Sequence, residues 1–548
     1  MHAIGIDVGS TNLKLVLVDD TGQIHASSSR PLTTRHEGAA VTQDAEQIWI
    51  GVREAIQEIT DAQPDRSRRI ASIGVCSQYS SIVGVDAQGA VTGPLLMYLD
   101  HRGEDLCWSV MERHEQAFEI FVDRHGIPPI GGGLSLAHLL YLQSEQPLIH
   151  EQTATYLEVM DFINLRLTGR AVATQCTMFA SQLCDNRVVG TTEYDSDLVA
   201  MTGVDPSKLP VLIGVDDIVG QVPADLAGQL GLPSAVSVRA GMNDTQAGAF
   251  ATGVLHGRGQ GSTSGANSAV SNSAVSTSTV STSTVSNPAV STSTRQCGLM
   301  IGTTAVLVDS LDGHRVDLDH EVLAMPAPVQ GRHVVMAENG ISGAAVEHTL
   351  NLLRPQRDRT EGETSSGQGQ FDELESALTQ SQPGSEGLLF LPWLAGSMSP
   401  RAETAQRGGF IGLSLSTTRE SMLRSVIEGT AHNLRWLLPA VEGLTGTTCE
   451  EIVFGGGAAR SAGWAQVLAD VLNRRVCVLA DPELAAATAV GMVALCRSQG
   501  EDPTEVRLDQ AASYTPRSEY HEMYERSQIQ FQAAFTNHLS ICEALSHE

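Results

Sequence analysis

Two segments in opposite halves of this chain share one layout: an apolar strand, a turn of glycine and hydroxyl residues, and a second apolar strand. In the first, Ile4, Ile6 and Val8 alternate before Gly9-Ser10-Thr11-Asn12, and Leu13, Leu15 and Leu17 alternate after it. In the second, Gly298-Leu-Met-Ile leads into Gly302-Thr303-Thr304 and then Ala-Val-Leu-Val-Asp309. A hairpin tip of small and hydroxyl residues leaves backbone N–H groups open to phosphate oxygens. One such hairpin fits many folds. A pair predicts duplicated halves that face each other across a cleft, and a nucleotide held between them would account for both tips.

Length agrees with that division, because 548 residues exceed what one hydrophobic core holds. Residues 1–256 alternate short strands with amphipathic helices, the pattern of an α/β domain. Ile70–Val75 reads as a strand, and Ala45–Ile59 as a helix whose Ile48, Val52, Ile56 and Ile59 share a face. A second series occupies 297–548 and closes with a helix around Tyr524 and Phe531. Between them, 257–296 contains pentads beginning at Val270, Val275, Val280, Val285 and Val290, nearly all Ser, Thr, Ala and Asn. A period of five suits neither helix nor strand, and such small side chains bury too little to offset the ordering entropy, so a disordered insertion is expected. Arg357–Gln370, rich in Gly, Ser, Glu and Gln, is expected to be a surface loop.

The chain carries 34 basic and 63 acidic residues, a formal charge of −29. That excess repels nucleic acid and anionic membrane surfaces, so neither is expected as a partner. Nine cysteines form no C-x-x-C pair and no metal spacing with histidine; they read as reduced, mostly buried residues. No run is apolar over the roughly 18 residues that a membrane helix needs, and no leader-like pattern precedes Ala3, so a cytoplasmic location is expected.

Four places carry chemistry. Lys14 is one of two lysines against thirty-two arginines, and it follows Asp7, whose carboxylate could hold a metal ion through its waters. Ala235–Gly253 reads as a strand, Gly241, and then Asn243-Asp244 opening a helix of small residues. Asp244 is either that helix's cap or a carboxylate at a strand-to-helix junction, able to accept a hydroxyl proton. The Gly302-Thr303 tip is the third place. In the fourth, Glu451–Leu472, a strand leads through Gly455-Gly456-Gly457 into a helix, a turn on whose backbone a nucleotide can lie. Its spacing is neither that of a dinucleotide fold nor that of a P-loop. His138, His348 and His432 read as structural, and Trp393, Trp436 and Trp464 as core anchors.

In this order, Asp-x-Gly-Ser-Thr, Gly-Met-Asn-Asp, Gly-Thr-Thr and Gly-Gly-Gly-Ala resemble the signatures of the FGGY family of carbohydrate kinases, its xylulokinase-like branch most closely. Gly387–Gly396, Arg407–Leu415 and Val426–Leu434 are similar to further family stretches. The resemblance implies an α/β fold of two actin-like, ribonuclease-H-like domains around a central cleft, closing on substrate and Mg-ATP. It places Asp244 on the catalytic base and Asp7 beside Mg²⁺. It places Gly9, Ser10, Thr11, Asn12 and Lys14 on the first phosphate hairpin, Gly302 and Thr303 on the second, and Gly343, Gly456, Gly457 and Ser461 along the nucleotide. Gln78, Tyr79, Ser80, Tyr98 and Asp100 fall on the sugar site. There the chain departs from the pattern: Tyr79-Ser80 stands where xylulokinases carry Met-His and glycerol kinases Arg-Glu. The implied activity is ATP-dependent phosphorylation of a small sugar or polyol, D-xylulose to xylulose 5-phosphate first. The alternatives are another ketose or polyol, of ribulose, glycerol or erythritol type, or a catalytically silent, sugar-responsive regulator. A homodimer is the assembly expected, if there is one.

Overall fold

A computed structural model describes residues 1–256, 295–353 and 367–546. The pentad repeats fall outside the described residues. Two lobes are built on sheets of one order. In the N-terminal sheet, Ile24–Pro31, Asn12–Asp19 and His2–Val8 run antiparallel in sequence, and Ile70–Ser77 and Ser237–Arg239 follow parallel to His2–Val8. In the C-terminal sheet, Arg332–Asn339, Ala305–Asp312 and Gln296–Ile301 are antiparallel, with Glu451–Gly455 and Arg475–Leu479 parallel beyond them. Both sequence-read hairpins therefore sit inside their sheets, with strands on either side, and helices packed on the sheets cover their faces. Ile4, Ile6 and Val8, and likewise Leu299 and Ile301, are fully buried.

The expected helix extends over Ala45–Ala62, capped by Asp44, and buries Ile48, Val52, Ile56 and Ile59. The closing helix spans His521–Ser546. One expectation needs correction. Gly367–Gln370 is the first turn of a helix, Gly367–Gln380, and not loop. Leu374, Ala377 and Leu378, at helical spacing, bury into the C-terminal core, and that packing overrides the polar composition of the turn before them.

The lobes are joined by helices that each lie against the other's sheet. Ala485–Gln499, from the C-terminal half, crosses the N-terminal sheet so closely that a Cβ on Gly5 would stand 1.8 Å from the Ala487 carbonyl oxygen. Asp244–Ala251 is seated in the same way, with a Cβ on Gly248 falling 2.9 Å from Met300 Cγ. Ala3, Val16, Ala247, Phe250, Val308, Met336 and Val490 consequently share one core. Arg497 adds polar pins, donating to Asp216 at 2.9 Å and to the Pro328 carbonyl at 2.6 Å. Among the described residues, no helix is long and apolar enough to cross a membrane.

Candidate active site in the cleft

The register of the first hairpin sets Asp7 opposite Lys14, so an acid and a base leave the sheet together. Gly9 N–H donates to the Asn12 carbonyl at 3.0 Å and closes the tip, and Ser10 is held from behind by Gln43, 2.8 Å from its carbonyl. Lys14 Nζ reaches across to the C-terminal lobe and donates to the Glu483 carbonyl at 2.9 Å. The second tip is clamped by a helix N-terminus. Ser342 and Ala344 N–H groups donate to the Thr303 carbonyl at 3.1 and 3.2 Å. Gly343, between them, must lack a side chain, since its Cβ would lie 2.0 Å from the Gly302 oxygen. Gly302, Thr303, Thr11 and Asn12 remain exposed.

At the third turn, two of the three expected residues leave the backbone bare. Gly456 takes φ +87° and donates to the Pro482 carbonyl at 2.7 Å, and Gly457 borders open space. Ser461 differs. It is fully buried, its hydroxyl donates to Glu375 and caps the helix Ala462–Leu472 by accepting from Trp464 N–H at 3.0 Å. Its single O–H donor is thus spent inside the protein.

Asp244 is the first residue of its helix, and the capping role belongs to its neighbour. Asn243 and Gln246 form a reciprocal capping box, each side chain accepting from the other's backbone N–H at 2.8 and 3.0 Å. The Asp244 carboxylate, relieved of that duty, accepts from Thr245 N–H at 2.8 Å and is half-buried. Protein surrounds the group closely, and burial pushes its pKa up to about 7, with the Asp7 carboxylate and then Glu338 adding to the rise. Asp7 is likewise held above the usual carboxylate range by burial, partly offset by Lys14, while the Cys76 thiol sits 3.7 Å from its Oδ1.

Glu338 is the residue that sequence reasoning missed. It stands on the strand Arg332–Asn339, half-buried, and is pushed up to about 7 by burial, a rise that the Thr304 side chain beside the second tip tempers. Its charge acts on Asp244, Tyr79 and Tyr98, so both lobes contribute to one gap. The signal for it was an acid continuing the apolar face of Val334 and Met336.

The five expected sugar-site residues divide. Tyr79 and Tyr98 border the gap, half-buried, and burial raises both phenols. Gln78 is buried and donates to Gln43 at 3.1 Å, with its Oε1 unpartnered. Ser80 is buried at φ +58°. Asp100 is 1 % exposed and fully engaged, accepting from Arg102 at 2.7 and 2.9 Å and from Val41 N–H at 3.1 Å. It acts as a strut under the site, and the Arg102 pairing keeps its pKa below the usual value despite its burial.

His138 and His432 are buried against the Asp100 carbonyl and Gln528 respectively, whereas His348 is exposed. Trp393 and Trp464 are core residues, and Trp436 packs partly buried on Phe531 and Phe535. Eight of the nine cysteines are buried and all are free. Among the described residues no cluster of three or more His, Cys, Asp or Glu side chains is arranged to hold a metal.

Comparison with known proteins adds three findings. The N-terminal domain of the FGGY family of carbohydrate kinases matches residues 2–251, and its C-terminal domain matches residues 276–498. Xylulose kinase from Staphylococcus epidermidis is 24% identical over 547 residues, covering 97% of this chain and 96% of that protein. Gluconokinase from Bacillus subtilis is also 24% identical, over 87% of this chain and 84% of its own. Among solved structures, xylulose kinase from Rhodospirillum rubrum superposes with a TM-score of 0.78 at 23% identity, covering 99% of this chain and all of that one. Plasmodium falciparum glycerol kinase with ADP gives 0.75 at 15% identity, covering 98% of each. The two-lobed, actin-like fold is therefore shared with them.

Proposed function

Since the chain belongs to the FGGY family of carbohydrate kinases across both lobes, we propose that it moves the terminal phosphoryl of ATP to a hydroxyl of a small sugar, D-xylulose first. The observation that carries this reading is Asp244: a carboxylate freed from capping, within reach of the charges of Asp7 and of Glu338 from the other lobe, with a pKa of about 7. A general base works best with a pKa near the operating pH. Asp244 would take the proton of the attacking hydroxyl and aim its oxygen. The N–H groups of the Gly9–Asn12 and Gly302-Thr303 tips would hold phosphate oxygens, and Lys14 would offset their charge. For the phosphates to be reached, Lys14 would exchange the Glu483 carbonyl for them. Gly343 and Gly456-Gly457 would leave room for the nucleotide.

The site suits Mg²⁺. Asp7 and Asp244 are hard oxygen donors that share one gap with only Lys14 acting on Asp7 as counter-charge, and Mg²⁺ needs few carboxylates because it keeps most of its waters. Asp7 would hold it, and when bound it supplies charge neutralisation on the phosphates. Closure of the lobes over the shared core would exclude water, which could otherwise accept the phosphoryl group.

D-xylulose leads because several similar curated proteins are xylulose kinases. The test is ADP release over a panel of D-xylulose, D-ribulose, erythritol, glycerol and D-gluconate, with the product identified by mass. A phosphorylated sugar is the expected result. Sugar binding without ATP consumption anywhere in the panel would overturn the kinase reading in favour of a regulator.

A further inference from the structure

The relatives at equal identity include kinases of a neutral ketose and of an acid, so identity does not choose between these substrate classes. The charges of the gap do. Along Arg332–Asn339, Val334 and Met336 enter the core shared by the lobes, whereas Val335 and Ala337 face the C-terminal core. Strand alternation puts Glu338 on the face of Met336, toward the second tip, opposite Val306. Met336 Sδ lies 3.7 Å from the Tyr79 hydroxyl. The helix Asp244–Ala251 is pinned against the same strand pair, Asn243 Nδ2 reaching Met325 Sδ at 3.5 Å and Gln246 Nε2 the Pro326 carbonyl at 2.8 Å. Glu338 therefore projects beside Tyr79 toward Asp244, and its carboxylate has several acceptor positions to offer.

We infer that Glu338 is a substrate-facing residue lent by the C-terminal lobe, which accepts hydroxyl hydrogen bonds from a neutral polyhydroxy substrate and excludes aldonic acids. This rests on the kinase reading above and narrows it. The charged groups that act on Asp244 are Asp7 and Glu338, both acidic. Those that act on Tyr79 are Glu338 and Asp244, again acidic, and then Glu158, which burial pushes up to about 8 and so keeps mostly protonated at neutral pH. Lys14 acts on Asp7, on the phosphate side. Once Asp244 and Glu338 ionise, at about pH 7 and above, a substrate carboxylate beside them meets like charge. Sugar hydroxyls meet acceptors instead.

The test measures kcat and KM for the neutral panel and for D-gluconate with saturating Mg-ATP, together with calorimetric binding of each compound, in wild type and Glu338→Gln. For wild type, gluconate should fall about 100-fold or more below the best neutral substrate in kcat/KM. In Glu338→Gln the KM of the neutral substrate should rise roughly 10- to 100-fold, as for loss of a charged hydrogen bond, with kcat and the KM for ATP little changed. The margin against gluconate should narrow. Glu338→Asp, which keeps the charge and shortens the reach, should raise KM yet still reject gluconate; equal melting temperatures check that both variants fold. The inference is overturned if wild type prefers gluconate, or if Glu338→Gln leaves both KM values unmoved. Should no compound be phosphorylated, the kinase reading fails on its own, and binding decides. Neutral compounds bound in preference to gluconate, with loss in Glu338→Gln, support the assignment of Glu338; equal binding, gluconate alone, or none at all overturns it.

Discussion

The hairpins inside the two sheets have one architecture and opposite chemistry. In the first, Asp7 faces Lys14; at the matching place in the second, two residues before the turn glycine, Met300 faces Val306. Met300 packs against Gly248 of the helix Asp244–Ala251 and Gly455 of the third turn, so it seats backbone, whereas Asp7 and Lys14 pair as charges at the first tip. The C-terminal lobe brings its charge from a different strand, through Glu338. The two frames share one strand order, and the charged side chains are placed unevenly on them.

Four measurements would break or sharpen that contrast. The largest effect is expected at Asp244: Asp244→Asn should lower kcat roughly 10²- to 10⁴-fold while ATP still binds, and a variant within about tenfold of wild type would remove the base from the scheme. Next is the hairpin comparison itself. Lys14→Met should cut kcat/KM for ATP by about 10- to 100-fold, whereas the volume-conserving Met300→Leu should cost less than about 1.5 kcal/mol in unfolding and leave ATP kinetics intact. Equal kinetic losses from both would erase the distinction.

Smaller still is Gly343→Ala. Its Cβ would meet the Gly302 oxygen at 2.0 Å, so denaturant unfolding should show a loss of about 1–3 kcal/mol and the KM for ATP should rise. Unchanged stability would mean that the second tip yields freely.

The last is a pH profile. Asp244 must be deprotonated to act, and its pKa is about 7, so kcat/KM for the sugar should climb as pH rises through about 7. Removing the negative charge of Glu338 lowers the Asp244 value, so in Glu338→Gln that limb should move to lower pH. A limb that stays in place would separate the two carboxylates. Stability runs the other way. Both acids have folded-state values above their unfolded ones, so their contribution is fully present at low pH and is lost as pH rises through about 7.

Much of the frame was legible because it rests on local patterns. Alternating apolar residues around Gly9–Asn12 and Gly302–Thr304 gave strand, turn and strand, and the spacing of Ile48, Val52, Ile56 and Ile59 gave a helix. The site was legible where a residue's position follows from its own hairpin or helix, as for Asp7, Lys14 and Asp244. It was less so where the partner is distant in sequence. Asp100 looked like a hydroxyl acceptor until Arg102 and Val41 occupied it, and Ser461 like a nucleotide contact until its hydroxyl bonded Glu375. The turn at Gly367–Gln370 looked like loop because its packing begins only at Leu374.

By itself, the order of residues determined two sheets, their glycine turns and the chemical types at the tips, since strand alternation and turn geometry act over a few neighbours. Only the tertiary structure decided that Asn243 and not Asp244 caps the helix, and that Glu338 stands across from Tyr79. It also decided that two carboxylates titrate near neutrality. These depend on burial and on charges brought together from separate lobes, and neither exists until the sheets have packed on their shared helices.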